Sequence, residues 1–309
     1  MLPLPEFKLE RPDQIGQLTE LIGQPDSRIV AGGTDLIPNL KHRLESPRLL
    51  VSLGRIKELQ GINSTDDGLT IGASTILSDI AQSGTVARGY PALADACRTV
   101  GTSTIQEMAT IGGNLMLDTR CLYLNQPDGW RTAIGGCLKC AGNTCHVAQS
   151  GSGCYAAHSA DTVPVLWLMG ARLRLVSAQG ERLIRLPDLY ANDGIQRTTL
   201  ARGEMIHSII LPKPRGFVSH RKLRLRGSID YPLLLTAVRR EGGGATAVLS
   251  ALSPRPIEVH AEKASDLPQL AWAAAKPLNT HSVSTTWRKH MVRVEVQRAL
   301  EATIHFGPR

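Results

Sequence analysis

The amino-acid sequence predicts an α+β protein with two domains. At 309 residues the chain is longer than one typical hydrophobic core supports, which favours two domains of ordinary size. Hydrophobic residues make up 42% and charged residues 20%, so we expect a globular protein with a buried core. A proline-rich break at 211–216 separates a region of mixed strands and helices from one in which strands precede helices. The predicted domains are therefore residues 1–212 and residues 213–309.

The predicted first domain begins with a small β-α-β arrangement. Residues 11–23 are predicted to form a helix, because Pro12 and Asp13 precede apolar residues at helical spacing and Gly23 ends the pattern. Short apolar runs predict strands at 28–31, 49–53, 68–73 and 171–176, and helical spacing predicts helices at 75–81, 90–100 and 164–170. Cys97 is expected on the buried face of its helix.

A segment without periodicity interrupts this domain between about residues 118 and 159. Gly, Cys, Asn, Gln and Ser dominate the segment, and it has no regular apolar face. An irregular stretch of about forty residues is unusual inside a compact domain unless another interaction holds it. A bound metal is the obvious candidate.

The predicted second domain contains strands over 221–226 and 245–252 and helices over 267–275 and 284–302. The glycine-rich stretch 241–244 is predicted to be a hairpin turn, because glycine accepts the positive φ values that tight turns need.

Composition and charge exclude several classes of function. Aromatic residues make up 4%, which argues against a surface that stacks carbohydrates or bases. The net charge of +8 is spread along the chain without interleaved aromatic residues, so we expect no nucleic-acid partner. A solvated basic surface or a docking site for an acidic redox protein both fit this charge. The sequence shows no signal peptide and no apolar run of about 18 residues, so we expect a cytoplasmic chain with no membrane partner.

Two glycine pairs in the first domain are candidate phosphate-binding turns. Gly32-Gly33-Thr34-Asp35 directly follows the strand at 28–31. Residues 110–114 (T-I-G-G-N) contain a second glycine pair about eighty residues later. Glycines leave consecutive backbone N–H groups bare, and such groups form a concave site for an anion such as pyrophosphate. Neither pair matches the G-x-G-x-x-G pattern, which disfavours a nicotinamide-dependent dehydrogenase.

The cysteines are concentrated in the irregular segment. Five of the six lie between Cys121 and Cys154, and in a cytosolic chain such a cluster indicates metal or redox chemistry rather than disulfides. An iron–sulfur cluster needs four converging thiolates, which irregular backbone can supply. Cys137 and Cys140 have zinc-knuckle spacing, and His146 could join such a site. Spacing alone leaves zinc and iron–sulfur equally open.

A resemblance to a known family rests on three motifs and one longer segment. These are A-G-G-T-D-L (31–36), T-I-G-G-N-L (110–115), S-A-D-T-V-P (159–164) and K-L-R-L-R-G-S-I-D-Y-P (222–232). Together they resemble the FAD-binding subunit or domain of the xanthine oxidase family of molybdenum hydroxylases, over nearly the whole chain. The resemblance implies a two-domain FAD-binding fold of the vanillyl-alcohol-oxidase and CO-dehydrogenase flavoprotein type, here with an iron–sulfur insertion at about 118–159.

Most members of that family lack the cysteine segment, but one branch has a similar one. This branch is the flavin subunit of 4-hydroxybenzoyl-CoA reductase, in whose insertion successive cysteines lie 16, 8 and 9 residues apart. In this sequence those steps select Cys121, Cys137, Cys145 and Cys154. The resemblance therefore implies that these four hold one [4Fe-4S] cluster, with Cys140 as an extra cysteine that could replace Cys137.

The resemblance also implies which residues hold FAD. Residues 29–36 would cradle its diphosphate, residues 110–114 would approach the flavin, and Gly101 would lie in the preceding turn. Asp161 would bond the ribityl or adenosine part, and Lys222 would reach FAD from the second domain. Alternatively, Asp161 is a helix N-cap and Lys222 an exposed strand lysine. The complete expected set is Ile29, Val30, Ala31, Gly32, Gly33, Thr34, Asp35, Leu36, Gly101, Thr110, Ile111, Gly112, Gly113, Asn114, Asp161 and Lys222.

The function that the resemblance implies is electron relay without contact to the substrate. The chain would take electrons from reduced ferredoxin at its cluster and pass them through FAD to a [2Fe-2S] subunit and a molybdenum-cofactor subunit, in a dimer of heterotrimers. That complex would convert 4-hydroxybenzoyl-CoA to benzoyl-CoA. The alternatives are a flavin subunit of a related dehydrogenase with another substrate, and a zinc-stabilised binding module without redox function. No catalytic residue is expected in this chain.

Overall fold

The structure is a computed structural model that describes residues 2–305, so residue 1 and residues 306–309 lie outside the described part of the chain. Within residues 2–305 twelve strands form three sheets. The strands are β1 (Lys8–Glu10), β2 (Ser27–Val30), β3 (Leu49–Ser52), β4 (Ile62–Thr65), β5 (Gly68–Gly72), β6 (Arg172–Ser177), β7 (Gly180–Arg185), β8 (Met205–Pro212), β9 (Val218–Leu223), β10 (Leu234–Glu241), β11 (Gly244–Ser250) and β12 (Ile257–Ala261).

Eleven α-helices connect and cover these strands in the same described range. They are α1 (Ile15–Ile22), α2 (Leu36–Lys41), α3 (Leu77–Gln82), α4 (Gly84–Gly89), α5 (Pro91–Arg98), α6 (Ser103–Gln106), α7 (Ile111–Leu115), α8 (Asp128–Ala133), α9 (Val163–Leu168), α10 (Leu267–Ala274) and α11 (Thr285–His305). None of these helices is both long and apolar enough to cross a membrane.

The first sheet is a parallel three-stranded sheet in the order β1-β3-β2. The predicted helix at 11–23 is α1 and precedes β2. Strands β2 and β3 are joined by α2, which the sequence analysis does not predict, and parallel neighbours need such a crossover connection. Leu18 of α1 packs with Leu49 and Val51 of β3 beneath this sheet. The carboxyl end of β2 opens directly into the first glycine pair, which places that pair at a sheet edge.

The second sheet has five antiparallel strands in the order β4-β5-β8-β6-β7. Its apolar face packs against helices α3, α5 and α9 in the largest core cluster of the described chain. Pro91 begins α5, where a missing N–H costs no hydrogen bond, and Cys97 of this helix is fully buried, as predicted. This layer supports α7, which carries the second glycine pair.

The third sheet is antiparallel, in the order β12-β11-β10-β9, and α10 and α11 cover it. The predicted hairpin turn lies between β10 and β11, with Gly242 at φ +57°. Arg288 of α11 is 1% exposed and donates to the carbonyls of Leu233, Leu278 and Ala251, which ties the helix to the sheet. Burial lowers the pKa of Arg288 to about 10.

The predicted division near residue 212 falls between β8 and β9, which belong to different sheets. Helix α9 packs against β9, β10 and β11 although it precedes the break in sequence. The largest core cluster likewise includes Val218, Ala237 and Val248 from beyond the break. The two sides therefore share a packed core, and the division into two domains stays a prediction.

Most sequence-predicted elements are present, and the differences concern the second glycine pair, the cysteine segment and several elements that are not predicted. The segment at 110–114 is not a turn leaving a strand: Thr110 caps the short helix α7 and accepts a hydrogen bond from the N–H of Gly113. The segment at 118–159 contains one short helix, α8, within otherwise irregular backbone. The sequence analysis does not predict strands β1, β4, β7, β8, β10 and β12 or helices α2, α4 and α6, although β8 and β10 contain apolar runs that are mostly buried in the fold.

Candidate functional site

A cleft of about 1040 Å³ opens where the first glycine pair, α7 and strand β9 meet. This volume lies at the upper end of the range for small-molecule sites in proteins, about 300–1,000 Å³. The expected residues that line it are Ile29, Val30, Ala31, Gly32, Gly33, Thr34, Asp35, Leu36, Gly101, Thr110, Gly112, Gly113, Asn114, Asp161 and Lys222. The structure therefore brings together every expected cofactor residue except Ile111.

Ile111 is the one expected cofactor residue that does not line the cleft, although its neighbours Thr110 and Gly112 do. Its side chain is fully buried in the largest core cluster and does not line the cleft. The physical reason is the helical conformation of α7, because helical backbone points successive side chains in different directions. The side chain of Ile111 therefore points away from the cleft, and a part for this residue in cofactor binding stays a prediction.

The first glycine pair forms a tight connection between β2 and α2. Gly33 has φ +70°, a value that side-chain-bearing residues rarely adopt, and its carbonyl accepts from the N–H of Ile37. Among the described residues the N–H groups of Gly33 and Thr34 have no protein acceptor. Both residues line the cleft, so these N–H groups are available to an anionic group of a ligand.

Gly32 is required by a different constraint, the approach of a second backbone segment. A Cβ atom built on Gly32 would lie 1.7 Å from the carbonyl oxygen of Met108 and 3.1 Å from the Cα of Ala109. Residues 108–109 lead directly into Thr110 and α7, so the two glycine pairs are held against each other. Gly112 makes a similar approach, since its Cβ would lie 2.7 Å from the carbonyl oxygen of Ala73.

Asn114 reaches the cleft but its amide oxygen is already occupied. Oδ1 of Asn114 accepts from both the N–H and the hydroxyl of Thr162, at 3.2 and 2.7 Å. Thr162 follows Asp161, so Asn114 fixes the segment that carries Asp161. The contribution of Asn114 to the site is therefore at least partly to position its neighbours.

Asp161 and Lys222 form a buried ion pair at the cleft. Lys222 Nζ lies 2.6 Å from Asp161 Oδ1 and donates to the carbonyl of Thr99 at 2.8 Å, two residues before Gly101. Burial, partly opposed by Lys222, raises the pKa of Asp161 to about 6. The alternative readings of both residues are wrong: Thr162 and not Asp161 is the N-cap of α9, and the Lys222 side chain is only 3% exposed.

A second charged contact links the cleft to the cysteine segment. Arg120 forms an ion pair with Asp35, and its guanidinium lies 4.2 Å from the ring centroid of Tyr231. The Tyr231 hydroxyl also approaches Asp35 Oδ1, at 3.4 Å. The carboxylate of Asp35 is therefore engaged by protein groups, and Arg120 sits immediately before Cys121.

The four cysteines selected in the sequence line one small cavity. Cys121, Cys137, Cys145 and Cys154 all contribute to its wall, whereas Cys140 does not. The cavity measures about 20 Å³, and Cys121, Cys145 and Cys154 are buried. Residues separated by up to 33 positions (154 minus 121) thus meet at one place in the fold.

A glycine-rich knuckle places Cys137 on the cavity wall. Gly135 and Gly136 have φ +79° and +69°, and a Cβ on Gly142 would lie 2.6 Å from the backbone N of Cys137. The N–H groups of Cys137 and Cys140 donate to each other's carbonyls, at 3.0 and 2.8 Å. This tight turn directs the two cysteines differently, which explains why only Cys137 lines the cavity.

The cysteine thiols are held in a partly dry environment. Burial raises the pKa of Cys121 to about 11, and burial also raises that of Cys154, against the opposing influence of a backbone N–H and of Lys139. In residues 2–305 no group of three or more His, Cys, Asp or Glu side chains is arranged to hold a metal ion. His146 lines the cavity too, with Nε2 at 2.6 Å from the carbonyl oxygen of Gly136.

Two side chains line both the cysteine cavity and the large cleft. They are Leu124, which is 3% exposed, and Lys139. Lys139 Nζ donates to Asp118 Oδ1 and to the Thr119 hydroxyl, each at 2.7 Å. The cavity and the cleft are therefore adjacent, with a thin wall between them.

Several lining residues were missed by the sequence analysis. Arg197 comes from the loop after the 3-10 turn at Leu186–Leu189, and Arg226, Asp230 and Tyr231 come from the loop after β9. The second group lies inside the quoted segment 222–232, so the motif itself was the signal that could have found them. Arg197 had no local signal, because only the packing of its loop brings it to the cleft.

Comparison with known proteins places these features in a family. The family model described as the FAD-binding domain in molybdopterin dehydrogenase matches residues 5–214. The aldehyde oxidoreductase FAD-binding subunit PaoB of Escherichia coli (strain K12) is 31% identical over 252 residues, covering 78% of this chain and 79% of PaoB. The carbon monoxide dehydrogenase medium chain of Hydrogenophaga pseudoflava is 25% identical over 311 residues, covering 98% of each chain.

Solved structures agree on the fold. A chain of the carbon monoxide dehydrogenase from Hydrogenophaga pseudoflava, in a form that lacks the Mo-pyranopterin moiety of the molybdenum cofactor, superposes with a TM-score of 0.78 at 21% identity, over 100% of both chains. Quinoline 2-oxidoreductase from Pseudomonas putida 86 gives a TM-score of 0.76 at 21% identity, over 98% of both chains. The predicted FAD-binding fold of the CO-dehydrogenase flavoprotein type is thereby confirmed.

Substituting Gly32 by alanine tests the contact between the two glycine pairs. We expect G32A to destabilise the chain by about 1–3 kcal/mol, because the methyl group forces two backbones apart, and to lose bound flavin. Gly16 of α1 is the control, since its Cβ would meet nothing within 4 Å. G16A should stabilise by about 0.5–1 kcal/mol. Urea unfolding measures the stability of both variants, and flavin content measures their cofactor binding. If G32A were as stable as G16A, the backbone contact at Gly32 would not exclude a side chain.

The ion pair of Asp161 and Lys222 gives a second expected outcome. K222M should cost about 3–5 kcal/mol near neutral pH, because it leaves a buried carboxylate unpaired, whereas D161L/K222M should cost less. The pKa of Asp161 is raised to about 6, so its carboxyl is neutral in acid. The cost of K222M should therefore be small below pH 4 and grow as the pH rises through 6.

The exposed Lys263 supplies the control for this pair, with K263M expected to change stability by less than about 0.5 kcal/mol. Denaturant unfolding of the flavin-free chain across this pH range is the measurement. A cost of K222M that does not exceed that of K263M would show that the pair contributes nothing.

Proposed function

The chain belongs to the family of FAD-binding domains of molybdopterin dehydrogenases, and from this membership we propose that it is an electron-transferring flavin subunit that also carries one [4Fe-4S] cluster. The observation that supports the cluster most directly is the convergence of Cys121, Cys137, Cys145 and Cys154 on one cavity. When bound, FAD holds one or two electrons while a cluster carries one at a time, so the pair can collect and release single electrons.

The residues around the cleft fit FAD in their chemistry. Free backbone N–H groups at Gly33 and Thr34 suit a diphosphate, and the cleft is long enough to pass from this turn to α7 and β9. Acidic side chains on the lining balance the basic ones, so the diphosphate depends on backbone N–H groups and not on an excess of cations. In this proposal Asp161 and Lys222 shape the far wall and hold Gly101 through Thr99.

The cysteine cavity fits a cluster in ligand type and in number. Four thiols suit an iron–sulfur cluster or zinc by their softness. A tetrahedral zinc site with Zn–S bonds of about 2.3 Å needs its sulfur atoms within about 4 Å of each other. In a four-iron cluster each thiolate binds a different iron, so the sulfur atoms surround the cluster. Four thiols that line the wall of one cavity suit this arrangement. A cluster exceeds 20 Å³, so the irregular loop has to widen around it.

The more specific proposal is a role in 4-hydroxybenzoyl-CoA reductase, supported by the similar cysteine steps of 16, 8 and 9 residues. The chain would relay electrons from reduced ferredoxin, by way of its cluster and FAD, toward molybdenum. The complex would remove the phenolic hydroxyl as water, using two electrons and two protons, to give benzoyl-CoA. This reaction belongs to the degradation of aromatic compounds.

The proposed partners are a molybdenum-cofactor subunit and a [2Fe-2S] subunit, in a dimer of heterotrimers. The support is that the relatives are named as a subunit or a medium chain, which are parts of larger complexes. Ferredoxin is the proposed donor, and the net charge of +8 suits an acidic redox protein. We propose a cytoplasmic complex without nucleic-acid or membrane partners.

A second candidate is a flavin subunit of a related dehydrogenase that acts on another substrate. The observation that favours it is the naming of the relatives, which include an aldehyde oxidoreductase and carbon monoxide dehydrogenases. The two candidates share this chain's cofactors, and they differ in the pocket of the molybdenum subunit.

Cofactor analysis of cysteine variants tests the cluster. Anaerobically purified chain should contain FAD, four iron atoms and four sulfides per chain. C121S and C154S should lose iron while FAD stays bound, and C140S, the matched control, should keep both. Iron, sulfide and FAD assays give the result.

Three results would revise this picture in different ways. Wild-type chain without iron and sulfide would exclude the cluster, and colourless protein with stoichiometric zinc would indicate a zinc-stabilised module. Loss of iron in C140S, with iron retained in C137S, would replace Cys137 by Cys140 as the ligand.

The substrate is tested on the complex purified with its partner subunits. With reduced ferredoxin and 4-hydroxybenzoyl-CoA, we expect one benzoyl-CoA for every two electrons supplied. The measurement is chromatographic detection of the product. Absence of benzoyl-CoA together with oxidation of an aldehyde by the same preparation would favour the second candidate.

A further inference from the structure

Lys139 occupies a position shared by the two proposed cofactor sites. Among the described residues, only Lys139 and Leu124 line both the cysteine cavity and the large cleft. Leu124 is apolar, so Lys139 carries the only charge of this shared wall. The Lys139 side chain is 13% exposed, and a charge in such a place is weakly screened by water and salt.

The ammonium group of Lys139 is fixed by one carboxylate and one hydroxyl, and two further charged groups, Arg197 and Asp193, contact neighbouring atoms. It donates to Asp118 Oδ1 and Thr119 Oγ1, each at 2.7 Å, and Arg197 Nε lies 3.5 Å from the same Asp118 oxygen. Asp193 Oδ2 accepts from the N–H of Cys154 at 3.3 Å on the cavity side. Removing the Lys139 charge therefore makes this surrounding more negative by one unit.

We propose that Lys139 sets the reduction potentials of both cofactors, its ammonium ion raising the potential of the cluster on one side and of the flavin on the other. The inference rests on the proposed function and deepens it. A fixed positive charge stabilises the more negative, reduced state of any nearby redox group. Because one cation faces both sites, it raises both potentials and changes the difference between them little.

A purely structural role would also be consistent with the contacts of Lys139, since they tie the knuckle to residues 118 and 119. The two roles differ in what they require. A structural tie needs hydrogen bonds of the right length, whereas the proposed role needs the charge. The reduction potentials respond to the charge of Lys139, so measuring them distinguishes the electrostatic role from the structural one.

The test compares K139M, K139R and D118N in the full-length chain, purified anaerobically, by dithionite titration with redox-indicator dyes. In K139M we expect the one-electron equilibrium constant for cluster reduction to fall at least tenfold, which corresponds to about 59 mV, and the flavin potential to fall as well. K139R keeps the positive charge, so both potentials should stay close to those of the wild-type chain. D118N removes the countercharge and should move both upward, and K263M, which lines neither site, should change neither.

Each outcome bears on Lys139 separately from the proposed function. Unchanged potentials in K139M that retains iron and FAD would overturn the role of Lys139 while leaving the cluster and flavin in place. If K139M loses its iron, its flavin potential still decides, because Lys139 also lines the cleft. Absence of iron in the wild-type chain would refute the proposed cluster, and the flavin arm would again test Lys139.

Discussion

The contact of Gly32 with the backbone of Met108 and Ala109 is the constraint on which the site depends. No side chain fits at Gly32, so the end of β2 lies directly against the segment that enters α7. That segment is itself fixed, since the carbonyl of Ala109 accepts from the N–H of Leu77 at 2.9 Å. The parallel sheet and the five-stranded layer thereby make a direct backbone contact here, in addition to the side-chain packing of Leu49 and Val51 with Val176 and Met205, and the cleft opens beside this junction.

The cysteine segment at 118–159 is anchored to the rest of the fold by several contacts. Arg131 is 3% exposed and donates to the carbonyl of His42, at the end of the helix that follows the first glycine pair. Arg120 pairs with Asp35 at the other end of that helix. The N–H of Leu122 donates to the carbonyl of Thr280, far along the chain. The cysteine segment thus contacts both ends of the helix that borders the cleft, and the region that follows the third sheet in sequence.

Charge is used differently on the two sides of the cleft. The pair of Asp161 and Lys222 is almost dry, which makes it a positional device whose removal leaves an uncompensated charge. On the opposite side Asp118 is shared by Lys139 and Arg197, so one carboxylate organises two cations near the cysteines. Both arrangements join segments distant in sequence. Both ion-pair arrangements hold the walls of the cleft in place, and neither depends on a bound ligand.

The sequence by itself determined the elements with strong local patterns, the two glycine pairs and the concentration of five cysteines in one segment. It also carried the family motifs, because Gly and Cys have few substitutes where backbone must approach closely or sulfur must bind. Only the tertiary structure decided that Ile111 turns into the core, that Lys222 meets Asp161, and that Lys139 stands between two cavities. The physical reason is that these contacts join residues dozens of positions apart, and the packing of sheets and helices, not local propensity, brings them together.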